Sequence, residues 1–171
     1  MGHSLASAGE LFGASSYRQA RFHADQAISL NPSAGLAHHL SGCIFGFGGY
    51  PVEAIAVQTQ VYQVDPAYRH TDVIEADLGL WNFLLGDLDA ALHHLQAALI
   101  AQPGNIRAHQ RLAAVLAQAG DRASAHEELE LLRGIGAMPT RDYIIASYPF
   151  QDGDHADRFR TALSRAGVVM D

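Results

Sequence analysis

The sequence predicts an all-α fold built from repeated pairs of antiparallel helices. Hydrophobic residues make up 49% of the 171 residues, and the prominence of alanine and leucine favours helix over sheet. In several segments the apolar residues recur at intervals of three and four, which is the period of an amphipathic helix. A pattern of turn, alanine, apolar run and closing proline also occurs four times. Stacked helix pairs can bury an apolar face that a single pair would leave exposed.

Four segments carry this pattern in order along the chain. SYRQARFHADQAISLNP ends at Pro32, and GGYPVEAIAVQTQVYQVDP ends at Pro66. GDLDAALHHLQAALIAQP ends at Pro103, and GDRASAHEELELLRGIGAMP ends at Pro139, two residues later than the pattern expects. The first two intervals between these prolines are 34 and 37 residues. Each proline follows a predicted helix end, where its missing N–H costs least.

The residues between the predicted helices suit turns and caps. Glycine supplies backbone freedom where one helix stops, and the turns within the later repeats are predicted at Gly49, Gly86 and Gly120. Short polar side chains can cap the helix that follows, and the predicted caps are Asp87 and Asp121, with Ser33 and Asn105 opening the first helix of their repeats. The glycine-rich stretch 42–51 is predicted to be a loosened turn between helices.

Small residues at fixed positions relate the repeats to a known family. The first helix carries Ser41-Gly42, Leu78-Gly79 and Leu112-Ala113 in successive repeats, and the second helix carries an early alanine at Ala20, Ala54, Ala91 and Ala125. With two helices per repeat of about 34 residues, this pattern resembles the tetratricopeptide repeat family. The resemblance implies a right-handed superhelical α-solenoid of about 3.5–4 repeats with C-terminal capping helices. The expected organisation is a capping segment at 1–16, the repeat array at 17–132, and a linker with capping helices at 133–171.

The tail carries a second resemblance. The pattern YPFQD…HADRF in the tail and WNFLLGDLDAAL in the third repeat are similar to the repeat arrays that follow class III adenylate or guanylate cyclase domains in bacteria. This resemblance implies that the chain is the regulatory or assembly region of a cyclase-like or transcriptional regulator.

Charge and composition exclude several classes of partner. The formal charge is −7 and no stripe of lysine and arginine appears, so nucleic acid is not an expected partner. No run approaches the ~20 apolar residues that cross a bilayer. The single cysteine, Cys43, cannot form an internal disulfide, so a reducing, cytoplasmic location is expected.

The histidines do not form a predicted metal or catalytic site. His93 and His94 are neighbours, so on a helix their side chains diverge by about 100° and cannot grip one ion together, and the same holds for His38-His39. His39 and Cys43 share one face at i and i+4, yet zinc would need two further ligands. No Gly-x-Ser-x-Gly nucleophile motif occurs. We therefore predict no enzyme activity, no metal and no cofactor, with a metal- or ligand-sensing site at His39/Cys43 as an alternative.

The resemblance implies that the first helix of each repeat lines a concave protein-binding groove. The positions that line it are Leu36, His39, Cys43, Phe47, Val73, Ala76, Asp77, Leu80, Phe83, Leu84, Arg107, Gln110, Arg111, Ala114 and Gln118. An apolar centre with two arginines at one rim predicts a hydrophobic or amphipathic helical ligand from a partner protein or peptide. Two alternatives stay open: the apolar face pairs two copies of the chain, or the chain's own N-terminal segment or tail fills the groove.

Overall fold

The computed structural model describes the backbone of residues 3–170 and the side chains of residues 16–170. Nine α-helices and no β-strand lie within residues 3–170, which confirms the predicted all-α fold. The helices are α1 (His3–Leu30), α2 (Gly35–Phe47), α3 (Pro51–Val64), α4 (Thr71–Leu85), α5 (Leu88–Ala101), α6 (Ile106–Ala119), α7 (Arg122–Gly134), α8 (Arg141–Ser147) and α9 (Gly153–Ala166).

The helices form two compact lobes. In the N-lobe, Met1–Tyr68, α2 packs against α1 on one side and α3 on the other. In the C-lobe, Arg69–Asp171, α4 pairs with α5 and α6 pairs with α7, while α9 packs against α6, α7 and α4. The predicted capping segment at 1–16 lies outside the described side chains apart from Ser16, so its packing stays a prediction.

The predicted caps of the C-lobe helices are present. The side chains of Asp87, Asn105 and Asp121 each accept a hydrogen bond from the backbone N–H three residues further on, at 3.0, 3.0 and 3.1 Å. Gly86 and Gly120 end α4 and α6 in the left-handed conformation, with φ of 87° and 93°. Residues other than glycine rarely adopt this backbone conformation. Sequence and local geometry therefore agree at each of these helix ends.

Two local predictions in the N-lobe were wrong. Ser33 does not cap α2, because the cap position belongs to Ala34 and the Ser33 N–H instead donates to Asn31 Oδ1. The stretch 42–51 is not a turn throughout, since α2 continues to Phe47. The small residues inside this helix allow a neighbouring helix to pack closely against it. This packing compensates for the low helix propensity of glycine.

Glycine at one repeated position lets the paired helices approach closely. A Cβ built on Gly79 would lie 2.6 Å from Leu95 Cγ and 3.2 Å from the Ala91 carbonyl oxygen, both on the partner helix α5. A Cβ on Gly42 would lie 2.2 Å from Gln58 Cγ on α3. The small residue in the first helix of each repeat is therefore a packing requirement, which explains the pattern in the sequence.

Replacing Gly79 by alanine should destabilise the chain by about 1–3 kcal/mol, because the added methyl group forces α4 and α5 apart or shifts Leu95 from its position. The free energy of urea unfolding measures the effect. Gly104→Ala is the matched control, since nothing lies within 4 Å of a Cβ at that position. Equal unfolding midpoints for the two variants would contradict this packing argument.

Candidate protein-binding surfaces

Most predicted groove positions of the C-lobe are buried. The concave side of α4 and α6, here called the α4–α6 face, was predicted to have an apolar floor with Arg107 and Arg111 at its rim, either open to a partner or filled by the chain itself. The buried members are Ala76, Asp77, Leu80, Phe83, Leu84, Gln110, Arg111 and Ala114. Val73 is half-buried, while Arg107 and Gln118 are exposed. Partner binding by these positions stays a prediction, and it requires that whatever covers them be moved.

The chain's own C-terminal segment covers the α4–α6 face. The Phe159 ring of α9 meets the Phe83 ring edge-on at a centroid distance of 6.1 Å, and it also packs on Tyr148 at 4.5 Å. From the adjacent position, Arg158 Nη1 donates to the Leu84 carbonyl oxygen at 2.9 Å. Further along α9, Arg165 Nη1 donates to the side-chain oxygen of Gln118 at 2.9 Å. Among the described residues, the tail, which was one of the two fillers considered from the sequence, contacts this face.

Tyr148 is the polar centre of this contact. It is buried, and its hydroxyl donates to Gln110 Oε1 at 3.0 Å. The guanidinium carbons of Arg107 and Arg111 lie 5.9 and 5.6 Å from the centre of its ring, within the range of cation–π attraction. Burial raises the pKa of Tyr148, and the two guanidinium charges oppose that shift. The phenol therefore stays neutral at physiological pH and serves as a hydrogen-bond donor.

A buried ion pair lies beneath the tyrosine. Arg111 Nη1 donates to Asp77 Oδ1 at 2.7 Å, and Arg111 is only 1% exposed. Because the two residues are 34 positions apart, they occupy the same place in successive repeats. Arg111, one of the two arginines predicted at the rim, thus already neutralises a carboxylate of the chain. Only Arg107 keeps an exposed guanidinium at that rim.

The N-lobe presents a different surface. On α2, Leu36 is 56% exposed and Leu40 is 51% exposed, while Cys43 and Phe47 are half-buried. Their spacing of four, three and four residues places them along one side of the helix. We call these four residues the α2 stripe. Leu40 was missing from the predicted groove, although its spacing from Leu36 was a sufficient signal to include it.

His39 and Cys43 both take part in hydrogen bonds within the N-lobe. His39 Nδ1 lies 2.9 Å from the Tyr68 hydroxyl oxygen, and Gln58 Nε2 donates to Cys43 Sγ at 3.5 Å. His39 is buried. These contacts account structurally for both residues, and metal or ligand sensing through them stays a prediction.

Other histidines form hydrogen bonds that connect the helices of the repeats. His94 Nδ1 lies 2.7 Å from Glu75 Oε2, which joins α5 to α4, while its neighbour His93 is exposed. His109 joins α6 to α7 through Glu128 Oε2 at 2.5 Å. In addition, His109 and His38 each place Nε2 2.9 Å from the carbonyl oxygen of the proline six residues earlier. These contacts give His38, His94 and His109 a structural role in the repeats.

Comparisons with known proteins agree with this architecture. Residues 83–139 match the model of the tetratricopeptide repeat family. The crystal structure of the MamA protein is similar, with a TM-score of 0.59 at 19% sequence identity, over 89% of this chain and 84% of that one. A search of the curated proteins gave no match. Together these findings show a tetratricopeptide-like helical fold. Among the described residues, no helix has both the length and the apolarity to cross a membrane.

Proposed function

We propose that this tetratricopeptide-like chain is a non-catalytic scaffold that binds an amphipathic helix of another protein on its α2 stripe. One observation carries the proposal: Leu36 and Leu40 are more than half exposed on the helix that lines the groove in such folds. Because each leucine is already about half buried, burying the rest in an interface contributes about 1 kcal/mol each.

The stripe and the charge of the chain define the partner. A helix with apolar side chains at intervals of three and four residues would place them between Leu36, Leu40 and Phe47. The formal charge of −7 favours basic residues beside that apolar row and disfavours a second acidic chain. We therefore propose a basic amphipathic helix rather than nucleic acid or a membrane as the ligand.

The cellular setting is also a proposal. The resemblance of the third repeat and the tail to arrays that follow cyclase domains supports a role as the regulatory or assembly region of a cyclase-like or transcriptional regulator. The single cysteine supports a reducing compartment, the cytoplasm.

Homo-oligomerisation is the second candidate, because the same α2 stripe could pair two copies of the chain. Such a pairing would be isologous, with the stripe of each copy against that of the other. It would bury Leu36 and Leu40 without a foreign partner, so the mass of the purified protein distinguishes the two candidates.

A photo-reactive amino acid at position 36 should form a discrete cross-link to a partner protein in the source cells. Adding Leu40→Glu should abolish this cross-link by placing a charge at the centre of the interface. The fold should tolerate the change within about 1 kcal/mol, because Leu40 is half exposed.

Val52→Glu is the matched control, since Val52 is an exposed apolar residue on α3, outside the stripe. It should leave the cross-link unchanged. Equal cross-linking in both glutamate variants would show that the α2 stripe does not hold the partner, and circular dichroism would verify that both variants are folded.

A further inference from the structure

The C-terminal segment contacts the C-lobe at the positions where a ligand would be expected. Its partners on α4 and α6 are groove residues predicted from the sequence, namely Phe83, Leu84, Arg107, Gln110, Arg111 and Gln118. We infer that this segment, residues 141–166, is a displaceable intramolecular ligand of the α4–α6 face. The inference concerns the C-lobe alone and does not depend on any partner of the α2 stripe.

The connection between α7 and the segment is loosely packed. The linker passes through Gly136 in the left-handed conformation, and Pro139 is its one buried residue between positions 135 and 140. A cavity of about 280 Å³ lies between this linker and Ile106 and Gln110 of α6. In the seven-residue helix α8, Ile144 is the one buried side chain. Little apolar burial would therefore be lost at the linker if the segment moved away, and the burial that holds the segment lies mainly on α9, at Phe159, Ala162 and Leu163.

The rest of the C-lobe does not need the segment for its internal contacts. The pairs α4–α5 and α6–α7 are the most extensively packed in this lobe, and α5 packs directly on α6. The helix α9 belongs to neither pair, and like α5 and α6 it has 14 residues, a length at which a helix depends on the surface it covers. The segment can thus open as one cooperative unit while α4 to α7 stay folded.

The chemistry of the segment defines what could replace it. It supplies a cluster of three aromatic rings, from Tyr148, Phe150 and Phe159, whose centroids are 4.5 to 6.3 Å apart. It also supplies a phenol donor for Gln110 and a guanidinium for the carbonyl end of α4. A peptide that displaces it would carry the same set: a tyrosine, a second aromatic residue on a helix that follows, and a basic residue next to that aromatic residue.

Native-state amide hydrogen exchange on the full chain tests the first half of this inference. The amides of α9 should exchange about 100-fold faster than those of α4 and α6, through a local opening. Arg158→Ala removes the bond to the Leu84 carbonyl and should speed exchange in α9 about fivefold further, leaving α4 to α7 unchanged. Arg160→Ala is the control, because Arg160 bonds Asp157 of its own helix and should have little effect. Equal protection of α9 and α6 would overturn the inference.

A synthetic peptide of residues 141–166 tests the second half. A tethered segment has an effective concentration in the millimolar range, so the free peptide should compete with it only near about 1 mM in the wild-type chain. For Arg158→Ala the half-saturating concentration should fall about fivefold, in step with the faster opening. If the peptide shows no saturable binding to either protein at several millimolar, the face does not exchange its occupant and the inference fails.

Discussion

Replacing Asp77 by alanine should destabilise the C-lobe by about 3–5 kcal/mol. Its carboxylate forms an ion pair with Arg111, which is almost fully buried between α4, α6 and Tyr148. Removing one member leaves a charged guanidinium in a site with little access to water. Because typical domains are stable by only 5–15 kcal/mol, a loss of this size is close to unfolding.

Urea unfolding of three variants separates this effect from a general loss of charge. Asp157→Ala is the control, since Asp157 pairs with Arg160 on an exposed surface and should cost about 0–1 kcal/mol. The double change Asp77→Leu with Arg111→Met should recover most of the stability, because no buried charge is left unpaired. The explanation fails if Asp77→Ala and Asp157→Ala unfold at the same urea concentration.

Phe159→Ala should weaken the contact between the tail and the α4–α6 face by about 3–5 kcal/mol. The ring is fully buried and touches the rings of Phe83, Tyr148 and Phe150, so its removal leaves a cavity at the centre of the contact. We expect α9 to lose its exchange protection while α4 to α7 remain folded. Part of the helical circular dichroism should disappear with it.

The fluorescence of Trp81 reports on the array in this variant. Trp81 is the single tryptophan of the chain and is fully buried on α4. Its emission should stay close to that of the wild type when the tail is released. A red shift of the emission together with the loss of helicity would mean that the whole C-lobe unfolds with Phe159, and that the tail is an integral part of its core.

Local patterns in the sequence were sufficient to predict the fold. Alternating turns and apolar runs gave the helix pairs, and Asp87, Asn105 and Asp121 cap helices as their positions indicated. These features are governed by neighbours within a few residues, so a single sequence contains them. The error at Ser33 was equally local, since the helix begins one residue later than its cap position requires.

Local patterns could not predict whether the candidate site is open or covered by the tail. Phe83 and Phe159 are 76 residues apart, and no periodicity of the array determines where a tail beyond the last repeat will lie. The apolar residues of an open groove and of a covered one have the same sequence pattern. One long-range contact could nevertheless have been predicted from the sequence, because Asp77 and Arg111 are opposite charges at equivalent positions of successive repeats.

In our proposal the α2 stripe is an uncovered surface that receives a different protein. Light scattering behind a sizing column, over a tenfold range of concentration, tests it with the wild type and Leu40→Glu side by side. We predict a single species of about 18.4 kDa for both proteins at every concentration. A wild-type dimer that Leu40→Glu converts to a monomer would contradict the claim, because the stripe would then be the interface between two copies of this chain.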